Sequence, residues 1–499
     1  MYLLMCASSV ATTAALVLWW YFHVPSTIPP SIPRIPIYVN LLAMWYNTSQ
    51  IDLYNQWYRA PLEKHGAIVI WFTGCWCILV TQPDYLVDLF RNEETYPKVG
   101  VNVRGLGSLM GLFTGENIIN SRKPNWNTFT SIMKPGFLKT FDHGAIHEKA
   151  KKVPERFLRA QAEIGGVHRG IDPFQWVERY AQDVMSLCLF DFDLQALDEP
   201  RVPYRPLLGQ ILPAIFTRWS LYFPKLDILG RNLLSRGKTL QNIAAFDNIL
   251  DGIVDSTMSH DAEKKEQQPK EQPKVVSHLL KEALDSGRIS YAQYRSNLRM
   301  TFMFGHDTTA FFLMSIMWEL GRNQPAQEIL RAEALHPTST PSTIHSLPYL
   351  SAFLYETLRL YPPVTEMLNH SPSHPALLGG KVPVQPGTWI GWNAYGAHTN
   401  PAVWGSDASE FRPERWGATV QEVQANMRLQ SIKGNFIPFS LHARKCLGQG
   451  LVLTEVKLVL FELVRRVKWR VDPAYVLQMS GVMFSRPVGL RIIVEELEG

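Results

Sequence analysis

The sequence predicts a mainly helical protein with small β-sheets, preceded by an N-terminal transmembrane helix. Three observations lead to this prediction. Residues 1–24 contain no Asp, Glu, Lys or Arg. Residues 290–320 form the longest uninterrupted helical pattern, with apolar residues on nearly all faces of its second half, as expected of a helix through a core. The β-rich runs, by contrast, are short.

Residues 1–24 are long enough to cross a membrane, because a helix of this length reaches about 30 Å or more. Trp19, Trp20 and Tyr21 suit a membrane interface. A cleavable signal peptide is the alternative, but the segment lacks a basic start. The first charge is Arg34, which favours a cytosolic location for the rest of the chain.

The boundaries that follow are a hinge over residues 25–36 and a catalytic domain over residues 37–499. Five prolines make the hinge stiff and extended. By length alone, 499 residues suggest two to four domains, although one large domain is also possible. A formal charge of +5 without a long Lys/Arg run gives no indication of nucleic-acid binding. Five scattered cysteines without zinc spacing favour a reducing compartment.

Within the domain, residues 67–81 read as a β-hairpin whose turn is Thr73-Gly74. Residues 117–137, which include Trp126, and residues 146–196 have helical patterns. We interpret residues 203–229 as the roof of a substrate pocket, a segment that dips into the membrane surface, or plain core. The charged, proline-containing residues 260–274 predict a solvated loop.

Two stretches contain candidate catalytic or metal-ligating residues. Phe-Gly-His-Asp-Thr-Thr, residues 304–309, places Asp307 beside Thr308 in an apolar helix, where an unpartnered carboxylate is costly. An acid satisfied by local hydrogen bonds is the simpler interpretation. Cys446 ends a loop and precedes a helix, and the helix N-terminus together with Arg444 and Lys445 favours a thiolate. The alternative is a buried structural cysteine.

The spacing of Phe439, Arg444, Cys446 and Gly448 resembles the haem-binding loop of the cytochrome P450 family. Three further motifs of that family occur in the same order before it: the Asp-Thr pair, Glu356-x-x-Arg359, and Phe-Arg-Pro-Glu-Arg-Trp over residues 411–416. The resemblance covers essentially the whole chain. It implies a single large, mainly helical domain with small β-sheets, in which haem lies between the central helix and the helix after Cys446.

The resemblance also implies roles for individual residues. Cys446 would be the axial ligand of the iron of haem b, Phe439 would shield the sulfur, and Gly448 would permit close approach to the porphyrin. Arg444 and Trp126 would meet the haem propionates. Asp307 and Thr308 would be catalytic and deliver protons. In the later segment, Arg415 would complete a buried cluster with Glu356 and Arg359.

Three positions depart from the family pattern. His442 stands where glycine is usual, and Phe304 stands where alanine or glycine is preferred. Thr130 replaces the arginine that the family places four residues after Trp126. A propionate partner in its place remains open among three basic residues: Arg122, Lys123 and Lys134.

The activity implied is that of a monooxygenase using O₂ and electrons from NADPH. Because no dinucleotide or flavin fingerprint follows a strand, a separate NADPH-cytochrome P450 reductase is expected. Basic residues in or near the cysteine loop and its helix are a candidate docking patch, or simply a solvated face: Lys433, Lys445, Lys457, Arg465, Arg466, Lys468 and Arg470. The expected location is the endoplasmic reticulum membrane, single-pass, with the domain in the cytosol.

Parts of the N-terminal third are similar to the fungal P450 branch that forms dityrosine. They include residues 90–95, 113–119 and 132–137 with Trp126. This favours a role in fungal secondary metabolism on a tyrosine-derived or other aromatic small molecule, by hydroxylation or oxidative coupling. Two alternatives stay open: a haem-thiolate isomerase or dehydratase that needs no reductase, and a membrane haem-binding protein without turnover.

Overall fold

The computed structural model describes residues 12–13, 22–100, 107–165, 169–198, 204–224, 233–267, 274–481 and 484–497. Most of the predicted transmembrane segment, residues 1–24, lies outside these ranges. Among the residues described, no helix combines the length and the apolar character needed to cross a bilayer. The anchor therefore stays a prediction.

The described helices are numbered in chain order. Those before the central helix are α1 (Ile37–Tyr46), α2 (Gln50–Leu53), α3 (Arg59–His65), α4 (Pro83–Arg91), α5 (Leu109–Thr114), α6 (Asn125–Leu138), α7 (His143–Glu163), α8 (Phe174–Phe190), α9 (Tyr204–Ile215), α10 (Arg218–Tyr222), α11 (Leu233–Gln267) and α12 (Val276–Asp285). The central helix and those after it are α13 (Tyr291–Arg322), α14 (Gln324–Leu335), α15 (Pro348–Leu360), α16 (Ala394–His398), α17 (Pro401–Trp404), α18 (Val420–Ile432) and α19 (Gln449–Arg466).

The strands form three small sheets. They are β1 (Ala67–Phe72), β2 (Cys75–Val80), β3 (Glu366–His370), β4 (Ala376–Leu378), β5 (Val382–Val384), β6 (Trp389–Asn393), β7 (Val467–Val471) and β8 (Ile492–Glu496). The largest sheet has the order β1-β2-β6-β3, in which only β2 and β6 are parallel. The other two sheets are the pairs β4-β5 and β7-β8.

The predicted hairpin is confirmed: β1 and β2 pair antiparallel, and the turn residues Thr73 and Gly74 have φ of 49° and 74°. Two positive φ angles in a two-residue loop match the right-handed twist of the flanking strands. The predicted helix over residues 290–320 is also confirmed as α13, which begins with a capping box between Ser290 and Gln293.

Three expectations differ from the structure. Residues 146–196 hold two helices, α7 and α8, separated around residues 164–173. The structure contains α11, which at 35 residues is longer than the 32-residue α13; its sequence pattern did not predict it. Its buried apolar residues follow helical spacing and include Ile243, Phe246, Leu250 and Val254. Because α11 continues to Gln267, residues 260–267 are helical and were wrongly predicted as loop. Residues 268–273 lie outside the described residues.

Two hydrophobic clusters make up the core. The larger lies among the helices around α13, and the smaller lies on the sheet of β1 and β2. Met110 and Phe216 pack against both clusters, so the interior is continuous. The proline-rich residues 25–36 contact the smaller cluster through buried Ile28, Ile32 and Ile35.

A buried carboxylate joins α15 to the segment after α17. Glu356 Oε1 accepts hydrogen bonds from Arg359 Nη2 at 2.8 Å and from Arg415 Nε at 2.9 Å. Glu356 Oε2 accepts from Arg359 Nε at 2.9 Å and from Trp416 Nε1 at 3.0 Å. The expected cluster of Glu356, Arg359 and Arg415 is therefore confirmed as a contact network.

His398 connects this cluster to the segment that leads to Cys446. Its Nδ1 donates to the carbonyl oxygen of Arg359 at 3.2 Å, and its Nε2 accepts the backbone N–H of Ile437 at 2.8 Å. Burial lowers the pKa of His398 to about 3, so the ring is neutral, as this one donor and one acceptor require. The cluster thereby fixes the start of the cysteine loop.

We expect Glu356→Ala to destabilise the protein by about 3–5 kcal/mol, because it leaves the buried Arg359 guanidinium without its carboxylate. Urea unfolding followed by circular dichroism measures the change. The matched control is Glu414→Ala, which removes an exposed acid from the same segment and should stay within about 0.5 kcal/mol of wild type. An unchanged unfolding midpoint for Glu356→Ala would contradict the assignment.

Candidate active site

One face of α13 is partly exposed, although the helix runs through the core. From Thr301 to Met317 the helix is buried except at Phe304, Gly305, Asp307, Thr308 and Phe311. Apart from Gly305, these residues follow a spacing of three or four and so form one stripe. The stripe contains both predicted catalytic residues, Asp307 and Thr308.

Asp307 is paired with the residue before it. His306 Nε2 lies 3.2 Å from Asp307 Oδ1, and His306 Nδ1 lies 2.7 Å from the carbonyl oxygen of Phe302. Burial acts to lower the pKa of His306, but Asp307, Glu178 and the Phe302 carbonyl oxygen together outweigh it, and the pKa is raised. The acid of the motif therefore has a basic partner that its sequence pattern did not identify.

The two threonines of the motif point to different partners. Thr308 Oγ1 donates to the carbonyl oxygen of Phe304 at 3.0 Å, within the helix. Thr309 Oγ1 donates to Glu455 Oε1 at 2.9 Å. Glu455 belongs to α19, and burial raises the pKa of its carboxyl group well above the ordinary value, which favours the neutral form. This contact ties the motif to the helix that follows Cys446, roughly 9 Å from its start.

Cys446 lies three residues before the start of α19 and is exposed. Its backbone N–H donates to the carbonyl oxygen of Phe439 at 2.9 Å, which closes the loop. Desolvation raises the pKa of the thiol, while the backbone N–H groups of Gly448 and Gln449 act to lower it. A Cβ at Gly448 would lie 3.9 Å from the sulfur, an ordinary contact, so the packing of the protein alone does not require glycine there.

The structure brings Arg444 and Trp126 together, since the guanidinium carbon lies 4.1 Å from the centre of the ring. Arg444 Nε also donates to Glu93 Oε1 at 2.9 Å, and Nη2 donates to the carbonyl oxygen of Ser121 at 2.9 Å. Such stacking and multiple donation hold a guanidinium plane in one orientation. Glu93 was not identified from the sequence.

A second buried cation, Lys98, lies beside Arg444. Its Nζ donates to Asn369 Oδ1 at 2.9 Å and to His370 Nε2 at 2.8 Å. Burial, with a further contribution from the Arg444 charge, lowers the pKa of Lys98 to about 7. No pattern in the sequence points to this lysine, because it meets Asn369 and His370 only through the tertiary fold.

The three basic residues that could replace an arginine at Thr130 all lie at the surface: Arg122, Lys123 and Lys134. Within the described part of the chain, Thr130 Oγ1 is buried and has no hydrogen-bond partner. Arg122 Nε donates to the carbonyl oxygen of Lys98 at 2.7 Å, so it packs on the backbone of that residue. Lys98 itself is buried, which makes it a stronger candidate for a propionate partner than the three exposed residues.

Aromatic rings form a wall along the partly exposed stripe of α13. Phe484, in the C-terminal segment, packs on Phe304 and Phe311 with ring centres 5.6 and 6.1 Å away. Phe174 stacks on Phe311 at 6.2 Å, and the Arg486 guanidinium lies 3.8 Å above the Phe174 ring. The unusual Phe304 is therefore one of several rings, rather than an isolated bulky residue.

Only some residues of the candidate basic patch are exposed in the structure. Lys457 is buried and donates to Ser351 Oγ at 2.8 Å, so it does not contribute to a docking surface. Lys468 pairs with Glu495 at 3.0 Å, and Arg466 pairs with Glu155 at 3.0 Å. The exposed members are Lys433, Lys445, Arg465, Lys468 and Arg470.

These residues fit a haem-thiolate centre. Cys446 is an exposed residue, and the backbone N–H groups of Gly448 and Gln449 act on its sulfur near a helix start, which suits an anionic ligand. Arg444 pairs with Glu93, whose Oε2 has no hydrogen-bond partner in the described part of the chain, and the buried Lys98, with its pKa lowered to about 7, lies nearby. The region therefore has a surplus of buried positive charge, which an anionic propionate would complement.

His442, the departure in the cysteine loop, has φ of 54°. This is the left-handed region, which glycine enters without steric cost and which other L-residues enter at about 1–2 kcal/mol. The backbone of the loop thus keeps the conformation for which glycine is suited, and histidine adopts it under strain.

We expect His442→Gly to stabilise the holoprotein by about 0.5–1 kcal/mol, since relief of strain exceeds the added flexibility of the unfolded chain. Urea unfolding monitored at the Soret band tests this. His442→Ala, which retains the left-handed strain, should give no gain. If His442→Gly were less stable than the wild type, the imidazole would have to make contacts that stabilise the protein by more than the strain destabilises it.

Comparison with known proteins agrees with this site. The cytochrome P450 family model matches residues 29–487. Cytochrome P450 monooxygenase xanG from Aspergillus fumigatus is 41% identical over 96% of this chain and 89% of its own length. Cytochrome P450-DIT2 from Saccharomyces cerevisiae is 28% identical over 95% of this chain and 94% of its own. Together with the architecture around Cys446, these similarities show that the protein belongs to the cytochrome P450 family of haem-thiolate monooxygenases.

Proposed function

We propose that this monooxygenase oxidises a tyrosine-derived or other aromatic metabolite in fungal secondary metabolism, by hydroxylation or oxidative coupling. The observation on which the proposal rests is the aromatic wall of Phe304, Phe311 and Phe484 beside Asp307 and Thr308. Aromatic rings bind other rings in offset or edge-to-face contacts worth about 0.5–1.5 kcal/mol beyond the buried area. The similarity to xanG and DIT2, both fungal P450s, supports a fungal role.

In this proposal Cys446 supplies the axial sulfur, and Phe439 and Gly448 shape its surroundings. Arg444, oriented by Trp126, and Lys98 would hold the propionates. Bound haem supplies the oxygen chemistry. Asp307 and Thr308 hold and pass protons at Oδ1 and Oγ1, and the hydroxyl hydrogen bond of Thr308 to Phe304 orients it along the helix.

Electrons reach P450 haem from a separate reductase, and we propose the NADPH-dependent enzyme of the endoplasmic reticulum. The exposed Lys433, Lys445 and Arg465 would meet an acidic partner. Residues 1–24 would anchor the protein in that membrane, residues 25–36 would lead from the anchor, and residues 37–499 would lie in the cytosol.

The assignment of Cys446 as the iron ligand is tested first, with full-length protein in microsomes. The reduced wild-type protein should give the red-shifted carbon monoxide Soret band of thiolate ligation, and Cys446→Ala should lose it. The matched control, Cys188→Ala, alters a buried cysteine of α8 and should keep the band. A retained band in Cys446→Ala would refute the ligand assignment.

The substrate is tested with the same microsomes, added reductase and a panel of tyrosine derivatives. We expect NADPH-dependent ring hydroxylation or a coupled dimer, identified by mass spectrometry. Products from aliphatic hydroxylation alone would contradict the aromatic assignment. Turnover without NADPH would favour an isomerase or dehydratase, and haem binding without NADPH consumption would favour a binding protein.

Phe304 offers a second prediction. Phe304→Ala should weaken binding of the aromatic substrate roughly 2- to 10-fold, because one ring contact is lost. The substrate-induced change of the Soret band gives the dissociation constant. An aliphatic ligand of similar size serves as the control and should bind at least as well to the enlarged site. Tighter binding of the aromatic ligand would show that the phenyl ring obstructs the site.

A further inference from the structure

His306 is a buried residue of the central helix that the proposed function leaves without a role. Only 2% of its surface is exposed, and it directly precedes Asp307. It faces α8, which approaches α13 closely because Gly305 lacks a side chain: a Cβ there would lie 2.6 Å from Met185 Cγ. The tight packing holds the ring in one place.

The hydrogen-bond partners of His306 determine its charge. Nδ1 lies 2.7 Å from the Phe302 carbonyl oxygen, and Nε2 lies 3.2 Å from Asp307 Oδ1. A carbonyl oxygen and a carboxylate oxygen can only accept. Both ring nitrogens must therefore carry hydrogen, so His306 is an imidazolium when Asp307 is ionised.

Two other buried histidines show that burial alone does not produce this state. His398 faces one acceptor, the Arg359 carbonyl oxygen, and one donor, the Ile437 N–H. His370 faces the Tyr96 carbonyl oxygen and the Lys98 ammonium group. One donor and one acceptor require a neutral ring in each case.

The other charges near His306 favour the cation. Glu178 of α8 acts to raise its pKa, and Glu178 itself pairs with Arg205 of α9 at 2.7 Å. Further charged groups near the motif are Arg486 of the C-terminal segment, which interacts electrostatically with Asp307, and Asp172, which precedes α8. Asp307 is the strongest of these charged influences on the imidazolium.

We propose that His306 is a positioning residue that holds the Asp307 carboxylate and supplies the proton that Asp307 passes on. A carboxylate that accepts a hydrogen bond from an imidazolium has no proton of its own to give. In the transfer, the Nε2–H bond breaks and an Oδ1–H bond forms, while Nδ1–H stays on the Phe302 carbonyl. The imidazolium becomes neutral imidazole and the carboxylate becomes the acid; water returns the proton, without redox change.

The inference rests on the proposed role of Asp307 as a proton donor, but its first test needs no substrate. In ¹⁵N-histidine-labelled, ferrous, carbon-monoxide-bound holoprotein, the signal missing from His306→Gln identifies His306. We expect both nitrogens to be protonated at pH 7. In Asp307→Asn the pH at which the ring loses its charge should fall by roughly 1–3 pH units, because the nearby negative charge is gone. A neutral His306 at pH 7 would overturn the proposal.

The second test measures coupling, the ratio of product formed to NADPH consumed, between pH 6 and 9. Wild-type coupling should fall as pH rises past the pKa of His306. His306→Gln keeps an N–H donor but has no proton to release, so coupling should drop roughly 100-fold and become independent of pH. His306→Phe keeps the packing of a ring on Phe302 but has no proton to release, so it should show the same loss of coupling and of pH dependence as His306→Gln.

The matched control is His278→Gln, which alters a buried histidine of α12 that contacts Thr257 Oγ1 at 2.8 Å. It should keep the wild-type pH profile. If the role of His306 were only structural, its substitution would change thermal stability but would leave the wild-type dependence of coupling on pH intact. This result in both His306→Gln and His306→Phe would overturn the proposal. Failure to find an aromatic substrate would count against the proposed function alone, since the charge state is measured without one.

Discussion

The carboxylate of Glu356 is the constraint on which the rest of the site depends. A fully buried charge is costly unless every oxygen is satisfied. Here Arg359 and Arg415 neutralise it, while the Trp416 indole and the Arg412 backbone N–H complete its hydrogen bonds. Because these donors come from α15 and from a segment more than fifty residues later, the carboxylate fixes two distant parts of the chain relative to each other.

Hydrogen bonds and ring contacts connect this cluster to the cysteine loop. His398 links the Arg359 carbonyl oxygen to the Ile437 N–H, and Phe436 packs against Trp416 with ring centres 4.8 Å apart. The loop that presents Cys446 thus starts from a rigid base, which helps to explain how it tolerates the strained backbone of His442. On the opposite side, Thr309 and Glu455 connect the helix after Cys446 to the central helix.

How far the sequence predicts these features depends on the range of the interaction. The Thr73-Gly74 hairpin and α13 follow from local pattern, and the partnership of Glu356 with Arg415 follows from a family motif. The contact of Lys98 with His370 spans 272 residues and leaves no periodic signal, so it was missed. Within residues 146–196, Gly165, with φ of 86°, Gly170 and Pro173 lie between α7 and α8, so a local signal for the break was present and was missed. Lys457 has the charge of a surface residue, yet tertiary packing buries it.

The three buried histidines of this region illustrate why charge cannot be assigned from residue type. At His398 and His370 a donor meets one ring nitrogen, and burial keeps the ring neutral. At His306 both nitrogens meet acceptors, and Asp307, with smaller contributions from Glu178 and the Phe302 carbonyl oxygen, raises the pKa against the effect of desolvation. The decisive difference is the partner supplied by the fold. A histidine in an apolar helix would by itself be expected to be uncharged. Because His306 lies between the Asp307 carboxylate and the Phe302 carbonyl oxygen, it is the cation that holds Asp307 in the site.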